Sequence, residues 1–226
     1  MARETWGPLS TAEQNQTEFT DPNVIDGDVS GNAATATALQ NPRTINGVSF
    51  DGTANITVPV GNTIFIGAGE MIPRTTTGAG IGSYETATND VNYDTLEFDA
   101  AIVTSGNLGE AADFIRILPS TWNSGTVTAK FYWTAASGSG TVTFALQARS
   151  FGDNVALDTA FGTAQSSTDT LQTAGNMHVS PATSAITIGG TPANGVPVIF
   201  QVYRDVSDSL GVDALLIGIE ITFTQS

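Results

Sequence analysis

The sequence predicts an all-β chain: a C-terminal antiparallel jelly-roll-like sandwich, preceded by an extended N-terminal arm and a short intertwined segment. Three observations predict it. From Val91 to Ser226, apolar and polar residues alternate in short runs separated by turn residues, the pattern of a sandwich or barrel. Gly and Thr are abundant while charged residues make up 13% of the chain, which favours strands and turns over a helical bundle. Residues 1–30 follow neither the strand nor the helix period and hold too little apolar content for a core.

Residues 1–30 read as an extended arm in which Trp6, Leu9, Phe19, Val24 and Ile25 are irregularly spaced. Ser10 to Glu13 can cap one short helical turn. Trp6 and Phe19 are the anchors of a docking peptide, or the arm packs back on its own assembly. Residues 31–59 follow. Gly31 to Leu39 is almost entirely Ala and Thr. A short helix is one reading, since Ala is the best helix former; close approach of neighbouring chains at a symmetry axis is the other. Asn46-Gly47 between Ile45 and Val48 predicts a tight hairpin, and Asp51-Gly52 is a second turn signal. Such a hairpin is marginal alone and has to pack on something. Residues 60–90 read as a Gly/Thr-rich connector with one short strand, Thr63 to Ile66, and a boundary near Asn89.

In residues 91–226 the inward sets are Leu96, Phe98, Ala100 and Ile102; Ile115 and Ile117; Val127, Ala129, Phe131 and Trp133; Val142, Phe144, Leu146 and Ala148; Ile186 and Ile188; Val198, Phe200 and Val202; and Leu215, Ile217, Ile219, Ile221 and Phe223. About eight strands suit an antiparallel jelly roll. Asp158 to Ala174 reads as a long loop with one irregular strand. Phe114 and Leu216 fall on outward registers, which suggests burial against another subunit.

The run from Gly31 to Thr57, GNAATATALQNPRTINGVSFDGTANIT, resembles a motif of bacteriophage tail-fibre and related virion-fibre proteins. Its residues here are Gly31, Asn32, Ala33, Ala34, Thr35, Ala36, Thr37, Leu39, Arg43, Thr44, Ile45, Asn46, Gly47, Val48, Phe50, Asp51, Gly52 and Ile56. The resemblance implies a homotrimeric fibre or head/tail appendage of a phage, assembled in the host cytoplasm. It would dock on capsid, portal or tail through residues 1–30. Asn41-Pro42 departs from the motif with a stiff kink. The motif occurs once, which points to a short fibre or collar. Phe114–Ala135 and Val196–Asp208 resemble C-terminal sandwich domains of phage structural proteins, which are typically trimeric and distal. The expected function is host-surface attachment, with a glycan as the ligand. The alternatives are a capsid-decorating or cementing component without a host ligand and, less favoured, a polysaccharide-degrading tailspike.

Candidate chemistry is sparse. A Ser-His-Asp triad would need His178 beside a nucleophile, and no elbow motif accompanies it, so His178 reads as a surface or packed histidine. Lys130 points outward. The reading is not an enzyme and no cofactor. Asp205, Asp208 and Asp213 share one loop; they are candidate calcium ligands, or Arg204 pairs with one of them while the others cap turns. Trp133 reads as core. Trp122, in a loop between Pro119 and Gly125, and the outward Tyr132 and Tyr203 are candidates for a glycan surface or a subunit seam.

The net charge of −15 argues against nucleic acid, which requires a basic footprint, and against anionic membranes. The absence of cysteine removes disulfides, thiol nucleophiles and cysteine-based zinc sites. No apolar run of membrane-spanning or signal-peptide type occurs, so Asn15 and Asn55 are read as unglycosylated.

Overall fold

The computed structural model describes residues 39, 41–45, 48–56, 62–103 and 108–225. Trp6, Phe19, Gly31, Asn32, Ala33, Thr35, Asn46 and Gly47 lie outside them. The chain divides into two compact units, residues 1–60 and 61–226.

In the first unit β1 (Arg43–Ile45) and β2 (Val48–Phe50) pair antiparallel. Ile45 pairs with Val48, which leaves the two-residue spacing of a tight hairpin. Asp51 then accepts bonds from the Thr53 hydroxyl at 2.7 Å and amide at 2.9 Å. These bonds, the hydroxyl's first, hold the Asp51 carboxyl below its usual value. Gly52 takes the positive φ of +86° that closes this turn. Leu39 donates its amide to Asp51 O.

The second unit is an antiparallel sandwich, as the alternation predicts. Its strands are β3 (Thr63–Gly67), β4 (Ile72–Pro73), β5 (Gly80–Glu85), β6 (Asn92–Phe98), β7 (Leu108–Ile117), β8 (Trp122–Thr134), β9 (Gly140–Ser150), β10 (Gln165–Leu171), β11 (His178–Val179), β12 (Pro197–Asp205) and β13 (Ala214–Gln225). A small sheet of five strands runs β10-β9-β12-β7-β4. A large sheet of six runs β11-β8-β13-β6-β5, with β3 also paired to β13. One edge of β13 is therefore shared: β6 covers Ala214–Leu216 and β3 covers Gly218–Thr222. Among the described residues no helix is long and apolar enough to cross a membrane.

The stretch expected to be a connector is woven into the sandwich. β3 and β5 belong to the large sheet and β4 to the small one. A 3₁₀ turn at Ala68–Glu70 carries the chain from one sheet to the other and buries Ala68 and Met71. The glycines of this stretch allow close packing: a Cβ on Gly78 would collide with the backbone of Arg74, and across the sheet the Phe65 ring of β3 lies over Gly218 of β13 where any Cβ would collide with it.

The core is aromatic and centred on Phe144 of β9. Its ring meets Phe98 at 5.5 Å, Phe131 at 5.4 Å and Trp133 at 6.4 Å, all three on the large sheet. Each such pair adds about 0.5–1.5 kcal/mol beyond the area it buries. Trp133 also donates Nε1–H to Asp169 of β10 at 2.9 Å, tying the two sheets. His178 is packed, as expected. It is buried against Trp133 with ring centroids 5.0 Å apart, and its Nε2 is 3.0 Å from Thr173 O.

Four expectations are corrected. Phe114 faces inward and stacks on Phe200 at 5.1 Å, while Ile115 and Ile117 are exposed. Leu216 is in the core because the register of β13 against β8 shifts between Leu216 and Gly218. That bulge lets Ala214 and Leu216 share the inner face with Ile219, Ile221 and Phe223, since one extra residue exchanges the two faces. Strand β6 ends at Phe98, so Ala100 and Ile102 lie beyond it, and Ile186 makes only an isolated bridge to Val127. Finally, β10 is regular, pairing with β9 from Gln165 through Leu171. Its polarity hid it, and polar residues are usual on an edge strand.

Candidate functional site

The three aromatic residues expected to form a ligand surface do not converge. Trp122 begins β8 and is buried in the core. The register against β13 jumps between Phe223/Val127 and Gln225/Trp122, and Ser124 takes a φ of +61° inside that bulge, which turns Trp122 inward. Tyr132 is on the outer face of the large sheet. It meets the edge of Phe65 at 5.2 Å and donates to Glu220 Oε2 at 3.2 Å, and Glu220 also pairs with Lys130 at 3.1 Å. Burial, then the Glu220 charge, pushes the Tyr132 phenol up. Tyr203 is on the outer face of the small sheet, across from Ala145 and Ala111. Burial, then Asp205, raises its phenol pKa.

In the acidic loop Arg204 pairs with Asp208 and Asp205 caps a turn, while Asp213 does neither among the described residues. The inward register of Val198, Phe200 and Val202 continues to Arg204, which is fully buried. Its five N–H donors are all used. Nε and one Nη2–H go to Asp208 at 3.0 and 2.9 Å; Nη1 goes to Phe98 O at 3.0 Å and Val212 O at 2.8 Å; the other Nη2–H goes to Leu210 O. Asp208 also accepts from Thr143 N at 3.0 Å. Asp205 caps the turn through Ser207 N at 3.0 Å and Ser207 Oγ at 2.7 Å. No group of three or more metal-ligating side chains forms among the described residues.

This clamp builds one wall of a cleft. Arg204 ties the loop before β13 to the end of β6, and Ser209 and Leu210 donate to Thr141 O on β9 at 3.1 and 2.8 Å. Val212 and Asp213 are thereby held beside Ser137 of the β8–β9 turn and Glu97 of β6. Together with Leu215 and Tyr84 they line a cleft of about 410 Å³. The cross-strand row Thr134–Leu215–Glu97–Gly80 forms part of this outer face. Tyr84 on β5 stacks on its cross-strand partner Tyr93, centroids 5.5 Å apart and planes 21° from parallel.

Gly80 and Gly82 clear space on β5 for the Glu97 carboxylate. A Cβ on Gly82 would collide with that carboxylate and sit 3.0 Å from the Thr95 hydroxyl. Thr95 and Thr134 are buried on this face, and neither hydroxyl has a partner among the described residues. Glu97 and Asp213 likewise have no hydrogen bond or ion pair among the described residues. Glu110 is buried and accepts from Asp99 N at 2.8 Å. Burial is the main cause that raises its carboxyl pKa; the bond from the Asp99 amide works against the rise, and the Asp99 and Asp213 charges add to it.

The small sheet offers a contrasting surface. Gln147 donates to Gln201 at 2.7 Å, and Gln201 donates to Asp113 at 2.8 Å, a polar ladder across β9, β12 and β7. Those groups satisfy one another. Beside them Ile72, Ile115 and Ile117 are exposed. Sequence reasoning missed the cleft. Its signal was the Gly80-x-Gly82-x-Tyr84 alternation inside a stretch that read as loop.

No protein-family model matches the chain, and no curated protein matches it. Among solved structures it is similar to the xylan-binding module CBM15, at 14% identity and a TM-score of 0.40, covering 74% of this chain and 99% of that one. It is also similar to the CBM22-1–GH10 modules of the Clostridium thermocellum endo-1,4-β-D-xylanase 10B complexed with xylohexaose, at 15% identity and a TM-score of 0.41. That match covers 71% of this chain and 27% of the other. A third is the family 11 carbohydrate-binding module of Clostridium thermocellum in complex with a β-1,3-1,4-mixed-linked tetrasaccharide, at 8% identity and a TM-score of 0.38. These likenesses concern the β-sandwich architecture and carry no residue-by-residue correspondence.

Proposed function

We propose that the chain is a non-catalytic, glycan-binding virion protein. It is a homotrimeric fibre or head/tail appendage of a bacteriophage, assembled in the host cytoplasm, docked through residues 1–30 and displaying the sandwich to the host surface. One observation carries the glycan reading: the outer-face cleft brings together the Tyr84 ring and two carboxylates, Glu97 and Asp213, that have no hydrogen bond or ion pair among the described residues. A sugar ring stacks its C–H face on Tyr84, while Glu97 and Asp213 accept from its hydroxyls. Hydrogen bonds to charged groups contribute about 1.5–3 kcal/mol each. The virion reading is supported by the motif in residues 31–57. Avidity links the two, because three weak sites on one trimer raise apparent affinity without new contacts.

The test uses the full chain. Light scattering should give a trimer, host-cell polysaccharide should bind saturably, and bound polymer should release no new reducing ends. A folded monomer removes the fibre reading; cleavage of the polymer removes the non-catalytic one. The second reading, a capsid-decorating component without a host ligand, is favoured by the bare Ile72, Ile115 and Ile117 on the small sheet. Apolar surface of that kind is commonly covered by another protein. Absence of glycan binding, with the protein located on the capsid shell by particle imaging, would select it.

A further inference from the structure

We infer that the cleft selects sugars by charge, accepting neutral and amine-bearing glycans and rejecting those that carry uronic or sialic acid carboxylates. This rests on reading the cleft as the glycan site and adds the ligand class. Two free carboxylates, Glu97 and Asp213, line the same space, and the Asp213 charge also acts on the buried Glu110 carboxyl. Among the described residues no basic side chain lines the cleft. The buried Arg204 commits every donor to Asp208 and to carbonyl oxygens. Elsewhere Lys130 pairs with Glu220 and Arg116 with Glu70.

The polar groups are placed for a ligand rather than for each other. The Glu97 carboxylate lies over Gly82, where a side chain would collide with it, and it lines the cleft together with Asp213. A sugar amine bound in the cleft would meet the Glu97 and Asp213 carboxylates. A sugar carboxylate would meet like charge in a partly desolvated cleft, where repulsion is stronger than in bulk water. Discrimination of this kind works by penalising the wrong ligand as much as by attracting the right one.

The experiment prints neutral, amine-bearing and acidic glycans on one array and probes it with the full chain at pH 6. The strongest neutral hit is then titrated beside its amine-substituted and carboxyl-oxidised derivatives. Amine-bearing glycans should bind at least tenfold tighter than neutral ones, and acidic ones at least tenfold weaker. Glu97→Gln should collapse the amine-to-neutral ratio to about threefold or less, and Asp213→Asn, on a separate loop, should lower it independently. Added salt should reduce the ratio in the parent. Acidic glycans binding as well as neutral ones would overturn the inference while leaving the cleft as the glycan site. An unchanged ratio in both variants would do the same. No binding to any class would overturn the glycan reading, and the charge rule with it.

Discussion

Replacing Arg204 by Met should destabilise the sandwich by about 3–5 kcal/mol. The side chain is fully buried and bidentate to Asp208, itself almost wholly buried. Removing one partner of a buried pair strands the other charge, and this costs about 3–5 kcal/mol. Asp208 would keep only the amides of Thr143 and Leu210. The carbonyls of Phe98, Leu210 and Val212 would lose their donor. For a unit of this size each kcal/mol lowers the melting temperature by about 2–4 °C, which gives a fall of roughly 6–20 °C. Calorimetric melting of the parent, Arg204→Met, Asp208→Leu and the double variant checks it. Both single variants should be severe. The double should be milder than their sum, because no uncompensated charge remains. An Arg204→Met melting temperature within 2 °C of the parent would refute the clamp, and additive single effects would refute the coupling.

Further outcomes follow from the same geometry. Phe144→Ala should cost about 3–5 kcal/mol in urea unfolding, because the ring it removes touches three large-sheet aromatics. Gly82→Val should leave the fold melting cooperatively but displace the Glu97 carboxylate, so glycan titration should fall more than stability does. Burial raises the carboxyl pKa values of Glu110 and Asp113 in the folded state. The native state therefore holds protons that the unfolded state has released, and stability declines as pH rises from the usual carboxyl range through the raised values. Glu110→Gln should flatten that decline in a pH series of melts; a decline as steep as the parent's would exclude Glu110 as a source.

The alternation of Val127 to Trp133 and of Val142 to Ala148 was legible because both runs keep strict period two through a core strand. The failures occur where period two breaks or extends. The bulges in β8 and β13 exchange faces within a strand, which moved Trp122 and Leu216 inward without a trace in residue type. Arg204 was legible in principle: two residues beyond Val202, the same alternation puts it inside, but a charged residue beside three aspartates reads as loop. β5 was hidden by its glycines. Gly80 and Gly82 look like turn residues, and only the pairing with β6 shows that they make room for Glu97. The cleft draws on four separated stretches, around Tyr84, Glu97, Ser137 and Asp213, and no local pattern joins them.

The most direct measurement is a side-by-side titration of full-length Tyr84→Ala and Tyr203→Ala with the best-binding glycan from the array. If the outer-face cleft of the large sheet is the site, Tyr84→Ala loses at least tenfold in affinity and Tyr203→Ala stays within twofold of the parent, both with parental melting curves. Loss confined to Tyr203→Ala would move the site to the small sheet and contradict the account.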